Sequence, residues 1–149
     1  MLISVEAPRK ELVNGYLYWI HAHQKGDFDV KLPASHIDLY DSSGRSIHYE
    51  DRPERASAFL HLLMDRSTSP ADTSPSMRPS LADAMGMFSE LKPYDGQGKA
   101  KSRYTAFVLT DRDRAEECRQ QNEAVAEFKK RAVTLNIRVI EVRVHREAQ

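Results

Sequence analysis

The last third of the chain constrains the fold most. Tyr104 to Thr110 (YTAFVLT) is an apolar, β-rich run long enough for a central strand. Asp111 to Asn136 follows as the longest helical pattern, with Cys118, Val125, Phe128, Ala132 and Leu135 on one apolar stripe. Glu116 and Glu117 lie early and Lys129, Lys130 and Arg131 late, an order that suits the helix dipole. Ile137 to Val144 (IRVIEVRV) then reads as a β-branched strand. Strand, helix and strand joined by short links form a βαβ unit, so the two strands should be parallel. The fold class is therefore α/β, with α+β the alternative: a mixed sheet with a C-terminal parallel βαβ unit and about three helices.

The N-terminal half should supply the remaining strands. Leu2 to Val5 is a short candidate. Tyr16 to His23 (YLYWIHAH) is aromatic and reads as a strand, with Tyr16, Tyr18, Ile20 and Ala22 on one face and Leu17, Trp19, His21 and His23 on the other. His36 to Tyr40 and Ser46 to Tyr49 flank Asp41-Ser42-Ser43-Gly44, a turn signal that predicts a β-hairpin. A helix is expected from Asp51, with Glu54 completing a capping box and Ala56, Phe59, Leu60, Leu63 and Met64 as its stripe. Another should start at Ser80 with Asp83 and bury Leu81, Ala84, Met85, Phe88 and Leu91. Between these two lies Arg66 to Ser80 (RSTSPADTSPSMRPS), rich in Ser and Pro and poor in apolar bulk, which reads as an extended connection. At 149 residues the chain fits one domain, residues 1–149, with this loop between a β-rich half and the βαβ half.

Charge and cysteine content narrow the function. The 22 basic and 22 acidic residues balance, which argues against a nucleic-acid binder or a charged membrane binder. No run of about 18 apolar residues exists, so no membrane span is expected. With Cys118 as the single cysteine, no internal disulfide can form, and a cytoplasmic location is the simplest reading. The opening MLISVEAPRK lacks the order of a signal peptide, although a processed periplasmic domain would look the same. No cofactor motif is present: GQGKAKS lacks the spacing of a phosphate loop, and neither G-x-S-x-G nor H-E-x-x-H occurs.

Three sets of residues can carry chemistry. Cys118 can act as a nucleophile or redox thiol, helped by Arg112, Arg114 and Arg119, or can pack as a small apolar residue. His21 and His23, at i and i+2, would share one strand face and could bind a metal; solvent-facing histidines are the ordinary alternative. Tyr16, Tyr18 and Trp19 can form a binding surface or enter the core.

The strand YTAFVLTD, the polar stretch RDRAEEC, the helix RQQNEAVAEFKKRA and the strand IRVIEVRV together resemble the active-site unit of thioredoxin-like proteins. The family's two-cysteine tetrad would fall on Ala115-Glu116-Glu117-Cys118, with the first cysteine replaced by alanine. The resemblance covers about the last 45 residues. It implies a degenerate thioredoxin-like fold without dithiol chemistry, since exchange within one chain needs both thiols. The function expected is a non-catalytic protein-binding or adaptor domain; the alternative is a thiol-dependent redox enzyme acting through Cys118.

Overall fold

A computed structural model describes residues 2–23, 36–50, 55, 78–94, 103–111 and 119–145. Its strands are β1 (Leu2–Pro8), β2 (His36–Tyr40), β3 (Ser46–Glu50), β4 (Thr105–Asp111) and β5 (Arg138–His145). The helices are α1 (Arg9–His23), α2 (Leu81–Gly86) and α3 (Arg119–Thr134), and a 3₁₀ helix covers Ser89–Tyr94. The helix expected from Asp51 and the stretch from Arg66 to Met77 lie outside the described residues. Among those described, no helix is long and apolar enough to cross a membrane.

The protein is α/β, and strands from both halves of the chain join one mixed sheet in the order β1-β5-β4-β2-β3. β4 and β5 are parallel, with Thr105 opposite Arg138 and Asp111 opposite Val144. β1 adds in parallel to the other side of β5, while β2 runs antiparallel to β4. The expected hairpin of β2 and β3 is present. Asp41 Oδ1 accepts from the backbone N–H groups of Ser43 and Arg45 at 2.9 and 3.0 Å. Gly44 takes φ +85°, a conformation that suits a residue without Cβ.

Period-2 alternation sorts the strand side chains onto two faces. Ile37, Leu39, Ala106, Val108 and Val139 pack under Val125, Phe128 and Ala132 of α3. That helix ends in a Schellman turn: Asn136 has φ 64°, its N–H donates to Val133, and Ile137 N–H donates to Ala132 at 2.9 Å. The turn aims the chain directly into β5. On the same face the buried Glu141 accepts from Lys129 Nζ at 2.6 Å and Ser4 Oγ at 2.8 Å, tying α3 and β1 to the middle of the sheet.

The opposite face carries Ile3, Ala7, Tyr40, Phe107, Leu109, Ile140, Val142 and Val144, covered by α1, α2 and the 3₁₀ segment. Here one expectation is corrected. Tyr16 to His23 is the end of α1, not a strand. Its buried residues are Leu12, Tyr16, Trp19 and Ile20, spaced four, three and one apart as a helix requires. Tyr18, which a strand would align with Tyr16, is 79% exposed, whereas Tyr16 is 8% exposed. Aromatic β-propensity is overruled by packing, because the stripe begins upstream at Leu12.

Gly15 weakens α1 locally by about 1 kcal/mol relative to alanine. A Cβ there would stand 2.7 Å from Met87 Cβ and Cγ, so the glycine permits α1 to lie against the segment after α2. Helical phase also separates Trp19 from Tyr18, its exposed neighbour. Trp19→Ala should destabilise by about 3–5 kcal/mol, while Tyr18→Ala should stay within about 0.5 kcal/mol, as denaturant titration would measure. Equal losses would contradict the helix.

Candidate functional site

Two neighbouring features lie on the α1 side of the sheet: a buried polar network and an open groove. The network begins on β2, where His36, Asp38 and Tyr40 alternate onto the same face and all are buried. Arg78, just before α2, reaches back to this face. Its Nη2 donates to Asp38 Oδ2 at 2.6 Å and to Tyr16 Oη of α1 at 3.0 Å. The guanidinium lies 4.1 Å from the ring centroid of Tyr49 on β3, a close cation–π contact. Tyr40 Oη donates to the Pro79 carbonyl at 3.2 Å.

The electrostatics follow from burial. Desolvation pushes the Asp38 carboxyl up, and Arg78, Ser46 and Tyr40 pull it back. Burial opposes the charge on Arg78, but Asp38 and Tyr16 outweigh it and hold the guanidinium charged. Burial, reinforced by the Arg78 cation, pushes His36 down to about 3, so its imidazole is neutral across the physiological range. His36 Nε2 stands 3.7 Å from Asp38 Oδ2, and His36 Nδ1 has no hydrogen-bond partner among the described residues. The cavity beside this network is about 10 Å³, which suits about one water and not a substrate. The network's evident effect is mechanical: it fixes the start of α2 to β2, β3 and α1.

The second feature is the groove that this anchoring shapes. Ser80 caps α2, accepting from Asp83 N–H at 3.1 Å, and Leu81 N–H donates to the Gly44 carbonyl at 2.9 Å. The chain then turns through Met87 into the 3₁₀ helix, which buries Leu91. Between this segment and α1 lies a groove of about 530 Å³, lined by Glu11, Met85, Gly86, Met87, Phe88 and Leu91, among others. A Cβ added to Gly86 would meet nothing within 4 Å, so Gly86 faces open space.

At its edge Glu11 of α1 meets the 3₁₀ segment. Ser89 Oγ donates to Glu11 Oε1 at 2.7 Å. Burial and the neighbouring Glu90 carboxyl push Glu11 up, against the pull of Ser89. No donor among the described residues reaches Glu11 Oε2 or Glu90 Oε2, and both atoms are shielded from solvent.

The residues singled out in the sequence fall elsewhere. Tyr16 and Trp19 belong to the core, and Tyr16 also joins the Arg78 network. Tyr18 is exposed on α1 beside Leu17. His21 is exposed in the last turn of α1, and the side chain of His23 lies outside the described residues. On a helix, positions i and i+2 point about 200° apart, so α1 does not bring the two histidines to one face. No group of three or more His, Cys, Asp or Glu that could hold a metal occurs among the described residues. Cys118, Arg112 and Arg114 lie outside them. Sequence reasoning missed Asp38, Arg78 and Glu11; the one available signal was the polar alternation His36, Asp38, Tyr40 in a predicted strand.

Comparison with protein families, with curated proteins and with solved structures finds no match.

The Glu11 geometry sets a pH dependence. A carboxyl whose folded pKa is raised costs stability above that pKa and costs nothing below its unfolded pKa. Glu11→Gln should therefore raise the melting temperature at pH 7, by about 1–3 °C. The gain should shrink as pH falls through the folded pKa and vanish near pH 4. An equal gain at both pH values in thermal melts would contradict a cost that arises from the ionised carboxylate.

Proposed function

We propose that this chain is a non-catalytic protein-binding domain that receives an apolar segment of its partner in the groove between α1 and residues 81–94. The carrying observation is the groove itself: about 530 Å³, walled by Met85, Met87, Phe88 and Leu91, with Gly86 facing open space. Its size falls in the range of binding clefts, and apolar walls with few polar groups are what such clefts use. Methionine side chains are unbranched and polarizable, and so adapt to more than one apolar surface. The exposed Tyr18 and Leu17 on α1 add apolar area available to a partner. The resemblance to thioredoxin-like proteins belongs with this reading, because a unit without the first cysteine implies a fold used for binding.

Gly86 supplies the test. Gly86 lines the groove and a Cβ there meets nothing within 4 Å, so a tryptophan at this position is expected to occupy groove space. Peptides selected from a displayed random library against the wild-type chain should lose at least about tenfold in affinity for Gly86→Trp, or about 1.4 kcal/mol, with the melting temperature unchanged. Selected peptides that bind both proteins equally, or a selection that enriches none, would count against the groove.

A further inference from the structure

We propose that His36 is a proton switch for the segment that Arg78 fastens: a proton taken up by its imidazole sets it against Arg78 for the Asp38 carboxylate and frees residues 78–94 from the sheet. The switch concerns the placement of the groove wall and stands whether or not the groove receives a protein partner.

Two nitrogen groups converge on one carboxylate oxygen. Arg78 Nη2 donates to Asp38 Oδ2 at 2.6 Å, and His36 Nε2 stands 3.7 Å from the same atom. His36 is buried, and its Nδ1 has no hydrogen-bond partner among the described residues. This arrangement is balanced only while the imidazole is neutral. A proton puts an N–H on both ring nitrogens and a positive charge beside a guanidinium that already holds the carboxylate. One buried carboxylate compensates one buried cation and leaves a second without a partner.

The surroundings give the imidazolium no other anion. From β2, Asp38 and Tyr40 share its face. From β3, the Tyr49 ring lies 5.2 Å away, while His48 and Glu50 stand opposite Leu39 and Ile37 on the other face. α1 contributes Tyr16, β4 contributes Phe107 and Leu109, and Ala84, Met87 and Phe88 close the cavity from the segment after Arg78. Burial keeps Tyr16 and Tyr40 un-ionised. Asp38 is thus the one carboxylate within reach among the described residues.

Of the two cations, Arg78 is the one that can leave. His36 is held in the sheet, paired with Leu109 of β4, whereas Arg78 is half-buried in the connection before α2. In the fastened form, burial and the Arg78 cation hold His36 down to about 3. In the opened form the imidazole regains its ordinary affinity for protons. Protons therefore favour opening, by about tenfold per pH unit below about 6.5.

Hydrogen-exchange protection factors measured from pH 7.5 to 5 test this on wild type, His36→Phe and His36→Gln, with melts confirming that each variant is folded. In wild type, protection at Leu81, Ala84 and Leu91 should stay below that of Val139 to Val142 and fall about tenfold per unit below pH 6.5. Neither variant can take up the proton, so the slope should vanish in both. Burial also pushes the Asp38 carboxyl up, so a slope that survives in the variants would assign the effect to Asp38 and overturn the switch. Protection at Leu81, Ala84 and Leu91 that equals that of β5 at every pH would overturn it as well, because the segment would then open only with the whole molecule. A second measurement does not need the His36 variants to fold: in Arg78→Met, the His36 ring protons should titrate at a higher pH than in wild type by NMR. An unchanged or lower value would contradict the competition.

Discussion

A carboxylate buried in a sheet face needs a cation, and in this protein that need organises one side of the fold. Asp38 sits on β2 with 2% of its surface exposed, beneath α1. Its partner Arg78 arrives from a segment distant in sequence and contacts β2, β3 and α1 through Asp38, Tyr49 and Tyr16. Removing one member of such a pair leaves an unpaired buried charge, which costs about 3–5 kcal/mol. The pair is more informative about specificity than about net stability, because an apolar replacement of both members can be neutral. It selects one placement of the chain at Arg78, and Pro79, Ser80 and Leu81 follow through their own bonds to Tyr40, Asp83 and Gly44.

From that anchor the groove takes its shape. α2 is short, with six residues, too short to hold an orientation by its own hydrogen bonds. Its position is set from outside by the Arg78 network at one end and by the buried Phe88 and Leu91 at the other. Gly15 lets α1 approach Met87, and the groove opens where Gly86 offers no side chain. The other sheet face is independent of this arrangement. There, α3 packs through Val125, Phe128 and Ala132 and is pinned by Lys129 to Glu141. One face of the sheet thus carries a conventional βαβ core, and the other carries the Arg78 network and the groove.

The same division explains what the sequence discloses. The β4–α3–β5 unit was legible because its burial is local and periodic: Val125, Phe128 and Ala132 repeat at helical spacing between two apolar strands. The hairpin was legible because Asp41 and Gly44 act within their own turn. α1 was misread because its last eight residues are rich in aromatic types, while its helical stripe shows only when Leu12 is counted with Tyr16, Trp19 and Ile20. The Arg78 network was not legible. A strand reading His36, Asp38, Tyr40 on one face predicts a solvated face, and Arg78 stands in a Ser- and Pro-rich stretch with no periodicity. Their meeting spans 40 residues and depends on tertiary packing alone. The groove escaped for a related reason, since Glu11, Met87 and Gly86 are ordinary residues until α1 and α2 are placed side by side.

Native-state hydrogen exchange on Arg78→Met tests most directly whether this one side chain holds the groove-forming segment in place. The amides of Leu81, Ala84 and Leu91 have backbone partners in the structure, and so do those of β5. If Arg78 anchors the segment, the first set should exchange faster in the variant by a sub-global opening, while the amides of Val139 to Val142 keep their wild-type protection. Unchanged exchange at Leu81, Ala84 and Leu91, or an equal acceleration in both sets, would contradict the account.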